Sequence, residues 1–329
     1  MTILNNDMLN TILNYLPLDT IHKLKLLNKQ FNNFIDNEFT LINYYCHKIN
    51  KNIIKKHCIN LRKIIVYTHP YLKNEFNHNL EDYDLLGLNN LEVLIAPYDQ
   101  YITNDGLRYI PNIKRLDLEQ NENITDEGLK YIPNIQHLFL HYNKNITDHG
   151  LKYISNILYL DLCTNTRITN NGLKYISSIR HLNLKCSENI TDDGLKYIPN
   201  IQHLNLQFNK RITDDGLKYI PNIRHLNIES NRKITDRGLK YISNVQHLNL
   251  NNNNNITDTG LKYIPNIMHL NLFFNKKITD SGLKYIPNIK FISIPLNKNI
   301  TDKGLKYIPN AKCIRTLSDC NIITKDTIL

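Results

Sequence analysis

The sequence has no tryptophan, and none of its six cysteines forms a C-x-x-C pair with another. The cysteine spacing argues against zinc ribbons and thioredoxin-like chemistry. No apolar run approaches the roughly 20 residues that a membrane-spanning helix needs. The N-terminal residues lack the basic and apolar regions of a secretory signal. We therefore expect an intracellular protein, cytoplasmic or nuclear, with reduced thiols and no membrane partner.

The sequence also lacks the residue groupings on which catalysis depends. Each glycine stands alone, so no loop is suited to cradle a phosphate, and no nucleophile is accompanied by a base and an orienting acid. His141 and Cys163 lie 22 residues apart, but nothing near them resembles an oxyanion-stabilising device. We predict no catalytic residue, no cofactor and no metal site.

The chain carries an excess of basic residues, with a formal net charge of +10, which leaves room for acidic partners. Many lysines follow an aspartate by four residues, as Lys130 follows Asp126. That spacing is typical of a solvated helical face and argues against a nucleic-acid-binding stripe. A denser basic edge comprises Arg167, Lys210, Arg211, Arg232, Lys233, Lys276 and Lys277.

All but one of the glycines recur at intervals of 22 residues. Self-similarity at a fixed period of about 20 to 50 residues is typical of a solenoid, in which each repeat packs on its neighbours. The periodic glycines are Gly106, Gly128, Gly150, Gly172, Gly194, Gly216, Gly238, Gly260, Gly282 and Gly304.

One unit, residues 113–134, contains the pattern I-x-x-L-x-L-x-x-N followed by I-T-D-x-G-L. The alternation of Leu116 and Leu118 predicts a short strand with both leucines on one face. Thr125 or Asp126 can cap a short helical or 3₁₀ turn. Because one unit cannot bury its apolar side chains alone, we expect stacked units to form the core.

An asparagine follows the strand in most units and is predicted to be buried. Its amide could satisfy backbone groups of the turn and link neighbouring units in a ladder. The recurring positions are Asn121, Asn143, Asn165, Asn209, Asn231, Asn253, Asn275 and Asn297.

These patterns resemble the leucine-rich repeat, L-x-x-L-x-L-x-x-N/C-x-L, over roughly residues 88–324. The I-T-D-x-G-L segment also resembles the cysteine-containing subclass, with Asn usually at the position of its Cys. The resemblance implies an α/β fold: a right-handed solenoid with a parallel β-sheet on the concave face and short helices or 3₁₀ turns on the convex face. Residues 46–87, where Leu61-x-x-Ile64-x-Val66 repeats the strand pattern, are expected to form a linker helix and a degenerate N-terminal repeat, and residues 325–329 a tail.

Residues 1–45 differ from the repeats and carry apolar positions at helical spacing. A segment of this size is too small to bury a core of its own, so it must dock on the repeats or on another protein. It resembles the F-box, although Asn5 and Asp7 stand where that family usually has Pro and Glu. The resemblance implies binding to a Skp1-like adaptor of a cullin complex; the alternative is an ordinary helical cap. The implied adaptor-binding residues are Leu4, Leu9, Ile12, Leu13, Leu16, Pro17, Leu24, Leu27 and Phe31.

In an L-x-L strand the side chains that flank the leucines point out of the sheet, and neighbouring strands lie about 4.8 Å apart. The position before the first strand leucine is His in six units, four of them in succession from His203 to His269. A linear ladder does not offer the tetrahedral geometry of a zinc site. Repulsion between protonated imidazoles is a milder hypothesis, which would make the sheet sensitive to pH.

The two positions after the second strand leucine vary most between units. Variation where the scaffold imposes no requirement indicates either contacts with a specific partner or drift at tolerant positions. Exposed aromatic side chains are plausible binding anchors. The candidates for target binding are His141, Tyr142, Lys185, Phe208, Glu229, Phe273, Phe274 and Leu296.

Together the two resemblances predict a non-enzymatic substrate-receptor subunit of an SCF-type (Skp1–cullin–F-box) ubiquitin ligase, which binds an unidentified target protein through its repeats. The alternative is a plain leucine-rich-repeat scaffold for protein interactions, with a helical N-terminal cap and no role in ubiquitin ligation.

Overall fold

The computed structural model describes residues 40–43, 62–66, 80–294, 297–311, 313–315 and 322–323. The chain divides into two compact units between Leu160 and Asp161. Residues 1–39, which make up most of the F-box-like segment, lie outside the described residues, as does Leu296. Among the helices that the structure describes, none is long and apolar enough to cross a membrane.

The first unit contains short parallel strands, each paired in register with the next along the chain. Leu94, Leu116 and Leu138 are aligned across neighbouring strands, and all three are buried. The strands are Thr40–Asn43, Lys63–Val66, Val93–Ile95, Arg115–Asp117 and His137–Phe139, and Tyr159–Asp161 spans the division between the units. The helical turns are Asp82–Asp84, Asn104–Leu107, Asp126–Leu129, Asp148–Leu151 and Lys152–Ile154.

The strand Lys63–Val66 confirms the strand pattern that the sequence shows before the main repeats. The strand Thr40–Asn43 was not expected, because the sequence assigns it to a helical segment. It pairs in parallel with Lys63–Val66. Two of its four residues are β-branched, and such residues favour a pleated strand when a neighbouring edge is available.

The second unit repeats the same strand arrangement. Leu204, Leu226 and Leu248 are aligned across parallel strands, and each is buried. The strands are His181–Asn183, His203–Asn205, His225–Asn227, His247–Asn249, His269–Asn271, Phe291–Ser293 and Cys313–Arg315, with Ile322–Ile323 antiparallel to the last. The helical turns are Asn170–Leu173, Lys174–Ile176, Asp192–Leu195, Asp214–Leu217, Asp236–Leu239, Lys240–Ile242, Asp258–Leu261, Asp280–Leu283 and Asp302–Leu305.

The Thr-Asp pair that recurs in most repeats has two separate roles, which resolves the choice that the sequence left open. The threonine is the N-cap, and in the turn Asp214–Leu217 the Thr213 hydroxyl accepts a hydrogen bond from Asp215 N at 3.2 Å. The aspartate bonds to the next repeat, because Asp192 accepts from Thr213 N at 2.8 Å and from Thr213 Oγ1 at 2.6 Å. One side chain therefore caps the turn while the other links successive repeats.

The 22-residue glycine period follows from this link. Gly216 has ordinary helical backbone, so it is not required for a left-handed conformation. A Cβ atom there would lie 3.0 Å from Asp192 Cγ and would overlap the carboxylate that bonds to Thr213. Glycine is therefore needed to let the aspartate of the preceding repeat approach the turn.

The predicted asparagine ladder is present and buried within each unit. Asn231, which is 0 % exposed, donates from Nδ2 to Asn209 O at 2.9 Å and to Ile212 O at 3.0 Å. Its Oδ1 accepts from Lys233 N at 2.8 Å and from Ile234 N at 3.1 Å. All four partners are backbone groups in turns, and these groups have no hydrogen-bond partner in a strand or helix. The asparagine ladder therefore supplies the hydrogen bonds that secondary structure would otherwise provide at the strand ends.

Candidate binding surface

The histidines that precede the strand leucines form a stack on the exposed side of the sheet in the second unit. The ring centroids of successive histidines are 3.9 Å apart along the series His181, His203, His225 and His247. The centroids of His247 and His269 are 4.2 Å apart. The planes of successive rings differ by 12° to 18°. The stack holds five imidazoles, because His181 extends the succession from His203 to His269 by one repeat. The stack forms because the strands pair in parallel and in register, so that each strand places its histidine directly beside that of the next.

The three central histidines of this stack are uncharged at neutral pH. The pKa values of His203, His225 and His247 are lowered from 6.5 to about 4. Partial burial is the main cause, and repulsion from neighbouring imidazoles adds to it. Arg224 lowers the pKa of His203 and His225 further. Within the part of the chain that the structure describes, no three His, Cys, Asp or Glu side chains are grouped so as to hold a metal ion.

A second row, formed by the asparagines between the strand leucines, runs beside the imidazoles. Each of these asparagines is tied to its own strand end; Asn205 Oδ1, for example, accepts from Gln207 N at 3.0 Å. Where a carboxylate of the preceding repeat is near, the amide nitrogen donates a hydrogen bond to it, as Asn249 Nδ2 does to Glu229 Oε2 at 3.1 Å. The exposed side of the sheet is therefore polar, regular and held in place by hydrogen bonds.

In the repeats from Tyr98 to Phe274, the second variable position lies in a left-handed backbone conformation, which the sequence did not reveal. Phe208, Phe274 and Tyr142 have φ values of 63°, 62° and 65°, although bulky residues rarely adopt this region. The conformation turns the chain out of the strand and lets the residue's N–H bond to the next repeat, as from Phe208 N to Glu229 O at 3.1 Å. These side chains are consequently held outward, and the three are 38 % to 43 % exposed.

The structure brings the sequence-predicted target-binding residues together in small groups within each unit. In the first unit, His141 stacks on Tyr142 with ring centroids 4.2 Å apart, and its Nδ1 lies 3.2 Å from Glu119 Oε1. In the second, Lys185 Nζ lies 5.8 Å from the ring centroid of Phe208.

The remaining candidates occupy other repeats of the second unit. Phe273 meets Phe274 edge-on, with ring centroids 4.3 Å apart. Glu229 accepts a hydrogen bond from Asn249. Leu296 and the nine adaptor-binding candidates between Leu4 and Phe31 lie outside the described residues. The role of all these residues in binding remains a prediction.

Replacing Thr164 with glycine is expected to raise the free energy of unfolding by about 1 kcal/mol. Thr164 has a φ of 65°, a conformation that costs an L-residue about 1–2 kcal/mol and glycine almost nothing. Its Oγ1 is also buried without a hydrogen-bond partner. Urea unfolding of the two proteins measures the change. Asn252→Gly is the matched control and should change stability by only a few tenths of a kcal/mol, because asparagine tolerates this region. A loss of stability in Thr164→Gly would contradict the account.

Most of the described coils have a buried strand leucine and a buried asparagine, and this arrangement defines the leucine-rich-repeat fold. A family model for the leucine-rich repeat matches residues 109–133, 175–198, 197–220, 219–243, 241–264 and 263–286. A model for the F-box domain matches residues 1–42. The chain belongs to the F-box/leucine-rich-repeat proteins.

Comparison with solved structures supports the fold. An internalin from Listeria monocytogenes aligns with a TM-score of 0.64 and 16 % identity, over 92 % of this chain and 94 % of the internalin. A chain from the complex of Rad7 and Elc1 in yeast aligns with a TM-score of 0.60 and 18 % identity, over 91 % of this chain and 88 % of that one. A search of curated protein sequences gave no match.

Proposed function

We propose that this protein is a substrate-receptor subunit of an SCF-type ubiquitin ligase. Residues 1–42 bind a Skp1-like adaptor, which joins the chain to a cullin complex, and the repeats bind a target protein. The observation that carries the proposal is an F-box match at residues 1–42 in the same chain as leucine-rich-repeat matches that begin at residue 109. The yeast chain of similar fold comes from a complex with a second protein, and this is consistent with an adaptor-bound role.

The protein contributes proximity and has no catalytic role in this proposal. Holding target and ligase in one assembly raises the effective concentration of one for the other, without any new chemistry in the receptor. The exposed side of the second unit suits this task, because its histidine and asparagine rows are fixed by the strands and hydrogen bonds beneath them. A preorganised surface loses little conformational entropy when a partner binds.

Removal of residues 1–39 is expected to abolish capture of a Skp1-family adaptor. The deletion stops before the strand Thr40–Asn43, because that strand pairs with Lys63–Val66 and its loss would expose a sheet edge. Co-purification of a co-expressed adaptor with the full chain and with the shortened chain measures the effect. Leu13→Asp in the full chain should also lose the adaptor, whereas Lys218→Ala, an exposed change on a repeat, should retain it.

If the full chain never retains the adaptor, the ligase role is wrong and the plain interaction scaffold is favoured. If the shortened chain retains the adaptor as well as the full chain does, residues 1–39 are not the adaptor-binding segment.

A further inference from the structure

A shallow polar groove of about 500 Å³ runs beside the histidine stack in the second unit. It is lined by the residues that immediately precede the histidines and by asparagines of the turns that lead into those strands. The residues that matter here are Arg180, Gln202, Arg224 and Gln246, flanked by Asn200 and Asn266. Guanidinium and amide groups therefore alternate along the groove, one from each successive repeat.

The groove is positively charged and has no carboxylate in its lining. Arg180 is held in place by a hydrogen bond from Nη1 to Asn200 O at 2.9 Å, which leaves its other N–H groups available. The Arg224 side chain forms no ion pair with any acidic residue in the described part of the chain. Because the neighbouring imidazoles are neutral at pH 7, the two arginines determine the charge of the groove.

The spacing of these groups suits an extended peptide that lies across the strands. Arg180 and Arg224 are two repeats apart, and at about 4.8 Å per strand this is roughly 10 Å. A polyproline II segment rises about 3.1 Å per residue and turns once in three residues. Side chains at i and i+3 therefore lie on one face about 9.3 Å apart, and can meet both arginines.

The amides that alternate with the arginines complete the match, with Gln202 between Arg180 and Arg224 and Gln246 one repeat further on. Gln202 and Gln246 each offer a donor and an acceptor. The backbone of a polyproline II segment makes no internal hydrogen bonds, so its carbonyl and N–H groups are free for such partners. Single-stranded nucleic acid suits the groove less well, because none of its lining residues is aromatic and bases bind by stacking on aromatic rings.

We propose that this groove binds an acidic segment of the target protein in the polyproline II conformation, with carboxylates at positions i and i+3 paired to Arg180 and Arg224. The inference rests on the proposal that the repeats bind a target protein. It does not depend on the adaptor, so failure of the peptide test and failure of adaptor capture are separate results.

The test is fluorescence anisotropy of the full chain with a labelled peptide of three Pro-Pro-Glu units. Arg180→Ala and Arg224→Ala should each weaken binding about tenfold, because each removes a charge-assisted hydrogen bond. Arg211→Ala is the matched control: Arg211 is exposed, as Arg224 is, but lies outside the groove, and binding should not change. A peptide of Pro-Pro-Gln units should bind much more weakly.

A charge exchange distinguishes direct pairing from general attraction. The Arg224→Glu variant should no longer bind the acidic peptide. It should bind a peptide whose central glutamate is replaced by lysine, because the charge pair is then restored in the opposite sense. The proposal is overturned if the acidic peptide does not bind, if the glutamine peptide binds equally well, or if Arg180→Ala and Arg224→Ala bind like the unchanged chain. It is also overturned if a short oligothymidylate binds more tightly than the peptide and displaces it.

Discussion

Replacing Asn231 with alanine is expected to lower the free energy of unfolding by about 3 kcal/mol or more. The side chain makes four hydrogen bonds to backbone groups of two neighbouring repeats, and it is completely buried. Alanine leaves those groups without partners, and each unsatisfied buried group costs about 1–3 kcal/mol. Urea unfolding monitored by circular dichroism measures the loss.

The chain contains its own control for this prediction at Ser187. It is the ladder position that carries serine, and among the described residues its hydroxyl makes a single hydrogen bond, to Asn165 O at 2.9 Å. Ser187→Asn should restore the ladder and raise the free energy of unfolding by about 1 kcal/mol. The account of the ladder would be contradicted if Asn231→Ala cost less than 1 kcal/mol and Ser187→Asn were destabilising.

Lowering the pH from 7 to 4 is expected to destabilise the second unit through the histidine stack. In the unfolded chain these histidines titrate near 6.5, whereas in the folded chain the pKa of His203, His225 and His247 is lowered to about 4. Between these values the unfolded chain binds protons that the folded chain does not. The contribution of these three groups to the free energy of unfolding is therefore fully present above pH 6.5 and is lost as the pH falls to about 4. Below that pH these groups cause no further loss.

Burial and the charges that face the stack decide the size of the effect. Those charges are the other imidazoles, from His181 to His269, together with Arg224. Solvent screening reduces their effect because the histidines are only partly buried. Thermal unfolding at several pH values measures the slope. His225→Asn, which interrupts the stack, should flatten it, whereas His149→Gln, on a helix outside the stack, should not. Independent titration of all five histidines near 6.5 in an NMR experiment would contradict the prediction.

Much of the fold could be predicted from the sequence, because each repeat must solve the same packing problem. The spacing of Leu116 and Leu118 gave the strand, and the recurrence of Asn121 gave the buried ladder; the structure confirms both. The glycine period indicates a repeat, but the sequence alone does not explain why glycine is required there. Its cause is a contact between repeats, from Asp192 to the turn at Gly216, and such a contact appears only when the repeats are stacked.

Less of the candidate binding surface could be predicted. The left-handed conformation at Phe208 leaves no signal in a single sequence, because many different residues occupy that position in other repeats. The groove pattern is less prominent in the sequence than the recurring histidines and the variable positions after the strand. The alternation of Arg180, Gln202, Arg224 and Gln246 is visible at the 22-residue period and could have indicated it.

The central claim is that the N-terminal segment binds an adaptor and is not merely a cap on the repeats. Hydrogen exchange of the full chain, with and without a Skp1-family adaptor, tests it most directly. Adaptor binding should raise the protection of amides in residues 1–42, while amides of the repeats between residues 104 and 293 keep the protection that they have in the free chain. Residues 1–42 that are already protected in the free chain, and are unchanged by the adaptor, would contradict the claim and identify the segment as a docked cap.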